Sequence, residues 1–194
     1  VPKLLGLPLT QLGHGEPGGF AMAWNIDKSH TDVGFAVRHM MISTVRGKFA
    51  KFDADVSLDP THLDASKVSA RVETASINTG DEKRDGHLRS ADFFDSEHFP
   101  TMEFQSTKVT HNGAHVEVTG KLKIRGTEEE ITLKGEVEGP GKDPWGNTRV
   151  GFSLSGEIER EKWALNWNQA LETGGVLVAK KVKIELEAQL VQST

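Results

Sequence analysis

From residue 24 onward the apolar positions recur every second residue, not every third or fourth, which is the signature of strands with one buried face. In 115–124, Val116, Val118, Gly120, Leu122 and Ile124 alternate with His115, Glu117, Thr119, Lys121 and Lys123. The stretches 130–138, 148–159 and 181–190 repeat the pattern, and 30–39, 44–58, 67–77 and 101–110 carry it less regularly. This predicts about eight strands joined by turns such as His111-Asn112-Gly113 and Gly139-Pro140-Gly141. Long antiparallel strands with one wet face close most economically into a barrel, because closure removes exposed edges. The expected fold is therefore all-β, an eight-stranded antiparallel barrel; a filled β-sandwich predicts nearly the same pattern and is the alternative. Lys and Glu dominate the polar face of strand after strand, so the apolar face is the interior one, opposite to a membrane barrel.

Gly120, Gly135 and Gly156 fall at inward, mid-strand positions on consecutive strands. Mid-strand glycine weakens a strand and fills no volume. One reading is that the three vacate space at one level of the interior. The other is that they mark bends or receive a neighbouring aromatic ring.

The alternation stops between Thr79 and Pro100. There Asp81 is placed to cap a short helix over about 82–89, with Glu82 and Asp85 early and Arg89 late, so that a short helical insertion is expected near 81–98. Leu88, Phe93, Phe94 and Phe99 would anchor it over one end of the barrel. A second irregular stretch, 160–175, carries Trp163, Leu165 and Trp167.

Residues 1–21 differ in texture: leucines interrupted by Gly6 and Pro8, then a glycine-rich arm. We expect 1–21 to be an extension and the domain to occupy 22–194. No conventional signal-peptide core is visible in 1–21, and no stretch of the chain approaches the roughly 18 apolar residues of a membrane-spanning helix.

Composition narrows the function. The 194 residues form one ordinary domain. A net charge of −5 makes nucleic acid a poor partner. The absence of cysteine removes thiolate metal sites and thiol nucleophiles. There is no phosphate-binding glycine loop, HExxH or G-x-S-x-G. Asp81, Glu82, Asp85 and His87 lie close in sequence, but a solvated charged helix accounts for them better than an acid–base set. His30, His39, His87 and His98 show no short ligand spacing. His39 ends the inward series Val33, Phe35, Val37, which suits a rim histidine first, a ligand head-group contact second and a haem ligand a distant third. Arg38, Arg46, Arg84 and Arg89 are the candidates for an anionic head group, although parity turns Arg38 outward.

The runs at 24–49, 77–106, 118–133, 143–152 (DPWGNTRVGF) and 165–187, including INTGDEKRDGHLRSADFF and VTGKLKIRGTEEEITL, resemble the YceI family of bacterial polyisoprenoid-binding proteins. The resemblance implies a lipocalin-like barrel whose elongated interior holds a long isoprenoid, such as a polyprenyl phosphate or a quinone tail, with no common catalytic set. It makes a homodimer plausible and a periplasmic location an alternative to the cytoplasmic one that the sequence suggests by itself.

The expected function is carriage or storage of a long-chain isoprenoid or similar fatty amphiphile without catalysis or cofactor; an enzyme acting on a lipid-like substrate at the barrel mouth is the alternative. At ~0.8 kcal/mol per buried CH₂, a twenty-carbon tail gains roughly 16 kcal/mol gross. That approaches the practical ceiling of about 18–21 kcal/mol before ordering costs, so longer tails need not bind more tightly. Inward parity proposes Val33, Phe35, Val37, Phe49, Phe104 and Val118 for the tail, together with Leu122, Leu133, Phe152, Leu154 and Ile184. Met40, Met41, Phe93, Phe94 and Trp167 are expected at the mouth. His39, with Arg84 or Arg89, is expected at the head group.

Overall fold

A computed structural model of the chain describes residues 24–172 and 174–192. The expected extension, 1–21, lies outside the described residues. Twelve elements follow one another: β1 (Asn25–Ile26), β2 (Asp32–His39), β3 (Ser43–Phe49), β4 (Phe52–Ser57), β5 (Lys67–Glu73), β6 (Ile77–Asn78), α1 (Glu82–Arg89), β7 (Thr101–Asn112), β8 (His115–Ile124), β9 (Thr127–Lys142), β10 (Thr148–Glu159) and β11 (Val178–Gln192).

The sheet runs in the order β4-β5-β7-β8-β9-β10-β11-β2-β3-β6, with β1 added to β11. Each of these pairings is antiparallel. The sheet curls until its two ends belong to neighbouring segments, because only Ala50 and Lys51 separate β3 from β4. The turn Thr74–Ser76 likewise separates β5 from β6. Across the bend, the Ala50 amide donates to the Ser76 carbonyl at 3.1 Å and the Glu73 amide to Lys51 at 2.9 Å. An isolated bridge between Trp24 and Val56 ties the start of the domain to β4.

Among the described residues, eleven strand segments thus stand where alternation predicted about eight. The difference has a local cause. The runs at 44–58 and 67–77 each break at a bend, where the inward parity slips by one residue (Phe49 to Phe52, Val72 to Ile77) and the pairing partner changes, and the two-residue β1 adds the remaining segment. One predicted turn is also corrected: Gly139-Pro140-Gly141 lies inside β9 beside a register irregularity, and the chain turns at Asp143–Asn147 instead. At Gly139, φ is +98°, a conformation open to glycine but costly for other residues.

The inner face gathers Val116, Val118, Ile131, Leu133 and Leu154 into the main core, and Trp24, Val150 and Leu190 into a smaller one. The outer face is crossed by ion pairs such as Lys134–Glu117 at 2.9 Å and Lys181–Glu157 at 2.7 Å. Exposed pairs of this kind contribute little stability, at most about 1 kcal/mol each, but they fix which face meets water.

The helix forms where expected. The Asp81 carboxylate accepts the Arg84 amide at 3.0 Å, and the early acids and late His87 and Arg89 complement the helix dipole. Buried Asp85 accepts the Thr79 amide at 2.9 Å and the Thr79 hydroxyl, fastening the helix to the strand before it.

The glycines do not vacate space. A Cβ on Gly135 would lie 1.8 Å from the Ser153 carbonyl oxygen, and one on Gly156 would lie 2.7 Å from that of Thr132. One on Gly120 would meet the Gln105 carbonyl and the Phe104 ring, both at 2.5 Å. They are points where neighbouring strands press together or an aromatic ring lies across the backbone. The reading that they hollow the interior is overturned.

Candidate functional site

The curled sheet encloses an elongated cavity of about 300 Å³, at the lower end of the range for small-molecule sites. Its lining reaches from Val178 to Leu190 along β11 alone, thirteen residues or roughly 40 Å of strand at about 3.3 Å per step. Side chains from β2, β4, β5 and β7–β11 contribute, and Leu88, Phe93 and Phe94 reach in from the helical segment. The wall is overwhelmingly apolar. Asp53 and Glu103 also border it, but their carboxylates pair with Lys28 and Arg71.

Thirteen of the residues singled out from sequence parity line this space. From the first half of the chain these are Val33, Phe35, Val37, Phe49, Phe93, Phe94 and Phe104; from the second half they are Val118, Leu122, Leu133, Phe152, Leu154 and Ile184. Phe49 forms the hub of an aromatic cluster, with ring centroids 5.9 Å from Phe35 and 5.7 Å from Phe94.

Six others sit elsewhere. His39 ends β2 beside Ser43 and Val178 and is not part of the wall. Met40 and Met41 form the exposed tip of the β2–β3 hairpin, where both adopt positive φ. Trp167 packs edge-on against His87 at 4.6 Å and tilted against Phe93 at 5.5 Å, behind the wall. The two helix arginines are occupied structurally. Arg84 donates to the Thr79 hydroxyl and carbonyl at 2.8 and 3.1 Å. Arg89 donates to the carbonyls of Ala75 and Ile77 at 3.0 and 3.3 Å and pairs with Glu82. Neither is brought to the cavity, so the expected pairing of His39 with Arg84 or Arg89 around a head group does not form. Arg38 and Arg46 lie on the outer face, the first bonded to Thr44 and Met41, the second paired with Glu185.

Among the lining residues that sequence reasoning did not single out, two sets stand out. Phe52, Ala54, Val56 and Leu58, with Val68, Ala70 and Val72, bring β4 and β5 into the wall. Their alternation was visible in the runs at 44–58 and 67–77. The other is Arg160, which lines the cavity and is only 3% exposed. It continues the inward series Val150, Phe152, Leu154, Gly156, Ile158, and the same parity that drew attention to His39 points to it.

Arg160 is held by four backbone carbonyls. Its Nε donates to Ala179 at 2.9 Å, Nη1 to Leu165 and to Trp167 (the latter at 3.0 Å), and Nη2 to Val178 at 3.3 Å. Removal from water pushes its pKa down, opposed only by the nearby Glu161 charge. The surrounding loop is fixed further by Asn168, whose side chain accepts the Val178 amide at 3.0 Å and donates to the Val178 carbonyl at 2.8 Å.

The acidic and histidine side chains of the helical segment are similarly committed. Asp81 caps, Asp85 holds Thr79, Glu82 pairs with Arg89, and His87 Nε2 lies 2.8 Å from Asp92. Among the described residues, no three His, Asp or Glu side chains converge as a metal site, and no helix is long and apolar enough to cross a membrane. A second depression of about 590 Å³, between β1 and β4–β5, is lined by Lys28 and Lys67 opposite Asp53 and Asp55 and lacks the apolar character of the interior.

The sequence profile of the YceI-like domain matches residues 24–190, nearly the whole of the described chain. UPF0312 protein SERP2314 of Staphylococcus epidermidis is 41% identical over 167 residues, covering 86% of this chain and 95% of that protein. Among solved structures, Burkholderia cenocepacia BcnA superposes with a TM-score of 0.74 at 25% identity, covering 85% of this chain and 99% of the other. A polyisoprenoid-binding domain from Saccharophagus degradans, implicated in plant cell wall breakdown, shares the fold with a TM-score of 0.63 at 13% identity, over 89% of this chain and 99% of that domain. The chain belongs to the family of YceI-like domains.

Proposed function

We propose that this protein binds a long-chain isoprenoid, or a similar amphiphilic lipid, along the axis of its curled sheet, and carries or stores it without chemical change. The observation that carries this reading is the lengthwise apolar cavity, bordered by aliphatic and aromatic side chains from strand after strand. A thin, flexible hydrocarbon suits such a shape better than a compact polar metabolite, and burial of its methylene groups supplies the driving force. Counting each bent stretch, β3–β4 and β5–β6, as one strand leaves nine strands including the two-residue β1, close to the size at which a curled, lipocalin-like sheet leaves room for one small ligand. The polyisoprenoid binding of the Saccharophagus degradans domain supports the ligand class.

The alternative, catalysis on a lipid at the mouth, lacks a comparable observation. The side chains first considered for it are committed to capping and tethering the helix. Denaturing solvent extraction of the purified protein, followed by mass spectrometry, tests the proposal. A long-chain lipid in near-stoichiometric amount is the expected result. Protein that is free of lipid and takes up none from vesicles or detergent-dispersed prenols overturns it.

A further inference from the structure

Arg160 is the one strongly charged side chain, among the described residues, that is both almost fully buried and part of the cavity wall. A guanidinium has five N–H donors. Four are taken by the carbonyls of Leu165, Trp167, Val178 and Ala179. Among the described residues the fifth, on Nη2, has no acceptor, and no carboxylate stands within ion-pair distance of the group. This contrasts with Arg149, which is engaged by Asp27 and Asp143. Four neutral carbonyls satisfy donors but do not cancel a charge, and a desolvated charge without a counter-ion is costly.

Resting on the lipid-binding reading above, we infer that Arg160 receives the head group of the bound amphiphile, that this head group carries an anionic oxygen, and that the tail runs from Arg160 toward Leu190. Two features support the polarity. The wall beyond Arg160, through Leu154, Phe152 and Ala188 to Leu190, offers only apolar side chains on β10 and β11. Guanidinium is also suited to oxyanions, since it keeps its charge on burial and directs fixed N–H groups at them. Carboxylate and phosphate share the required chemistry.

Three C20 probes with the same chain test the inference on the delipidated full-length protein: geranylgeranyl phosphate, geranylgeranoic acid and geranylgeraniol. At least one acid should bind about 10- to 100-fold more tightly than the alcohol, the range that a hydrogen bond to a charged group commands. Arg160→Met should erase that preference, whereas Arg160→Lys should keep part of it. A preference for the phosphate or for the carboxylate would identify the source of the anion. Should the Met variant fail to fold, the wild-type protein still decides. An acid probe with a photoreactive group at the end of its roughly 20 Å tail should crosslink near Leu154 and Leu186, about six residues of strand from Arg160. Equal affinity for acids and alcohol, or crosslinks confined to Leu165 and Val178, overturns the assignment while leaving lipid binding intact. Failure of all three probes to bind overturns the underlying function itself.

Discussion

The hydrogen that Gly135 carries in place of a methyl group is what lets β9 approach the carbonyl of Ser153 on β10, since a Cβ there would stand 1.8 Å from that oxygen. No rotamer change relieves a clash between a Cβ and a neighbouring backbone. Gly135→Ala should therefore destabilise the protein by about 1–3 kcal/mol or more through overpacking. Gly151→Ala, in a position with open space around it, should stay within about 0.5 kcal/mol of wild type. Urea unfolding of the two variants side by side checks this, and equal midpoints would contradict it.

Arg149 joins three parts of the chain. It donates to Asp27 at 2.7 Å, to Asp143 at 2.8 Å and to Gln189 at 2.6 Å. Hydrogen bonds from the Ser29 hydroxyl, then Arg149 and His30, hold the Asp27 carboxyl far below its ordinary range. The Arg149 guanidinium lowers that of Asp143 to about 2. Because both folded values lie below the unfolded one, near 3.8, their contribution is complete above about pH 4 and is lost as pH falls toward 2. Melting temperature should drop across that window, and Arg149→Met should flatten the drop while lowering stability at pH 7. Circular dichroism melts between pH 5 and 2 distinguish the two slopes.

Ala188 lines the cavity beside Phe152, its register partner on the adjacent strand. A bulky side chain there narrows the space toward Leu190. Ala188→Phe should shorten the preferred chain length, lowering affinity for a C30 prenol about tenfold or more while sparing a C10 one. Displacement of a fluorescent fatty probe by a prenol series reads this directly, and an unchanged length profile would argue against occupancy of that end.

Arg84 and Arg89 are engaged by acceptors around the helix. Arg89→Ala should lower stability by about 1–2 kcal/mol, because two backbone carbonyls lose a charged donor. Lipid affinity should be unaffected in Arg84→Ala and Arg89→Ala. A tenfold loss of affinity in either, with the fold intact, would restore them as head-group residues.

These outcomes bear on how far the chain can be read unaided. Period-two alternation located the strands from β2 to β11 because each inward residue has only two faces to choose between. Asp81 announced the helix through capping chemistry. The bend that splits β3 from β4 went unread because its mark is only a one-residue slip of parity, from Phe49 to Phe52 across Ala50 and Lys51, which is easily absorbed into one longer run. The glycines were ambiguous because a missing side chain has the same spelling whether a neighbour fills the gap or leaves it. His39 and Arg160 both extend an inward series, yet only Arg160 reaches the wall. His39 belongs to the last pair of its ladder, at the turn end of the β2–β3 hairpin, whereas the loop after β10 folds back around Arg160.

Four carbonyls on one guanidinium come from two separated places, Leu165 and Trp167 on one side and Val178 and Ala179 on the other. Arg160 thereby cinches the base of the detour between β10 and β11, much as a drawstring closes a pouch. Changes of sequence or length at the outer part of the detour need not disturb the register of the two longest-paired strands. The rim can then diversify from one relative to another while the tube beneath it stays the same.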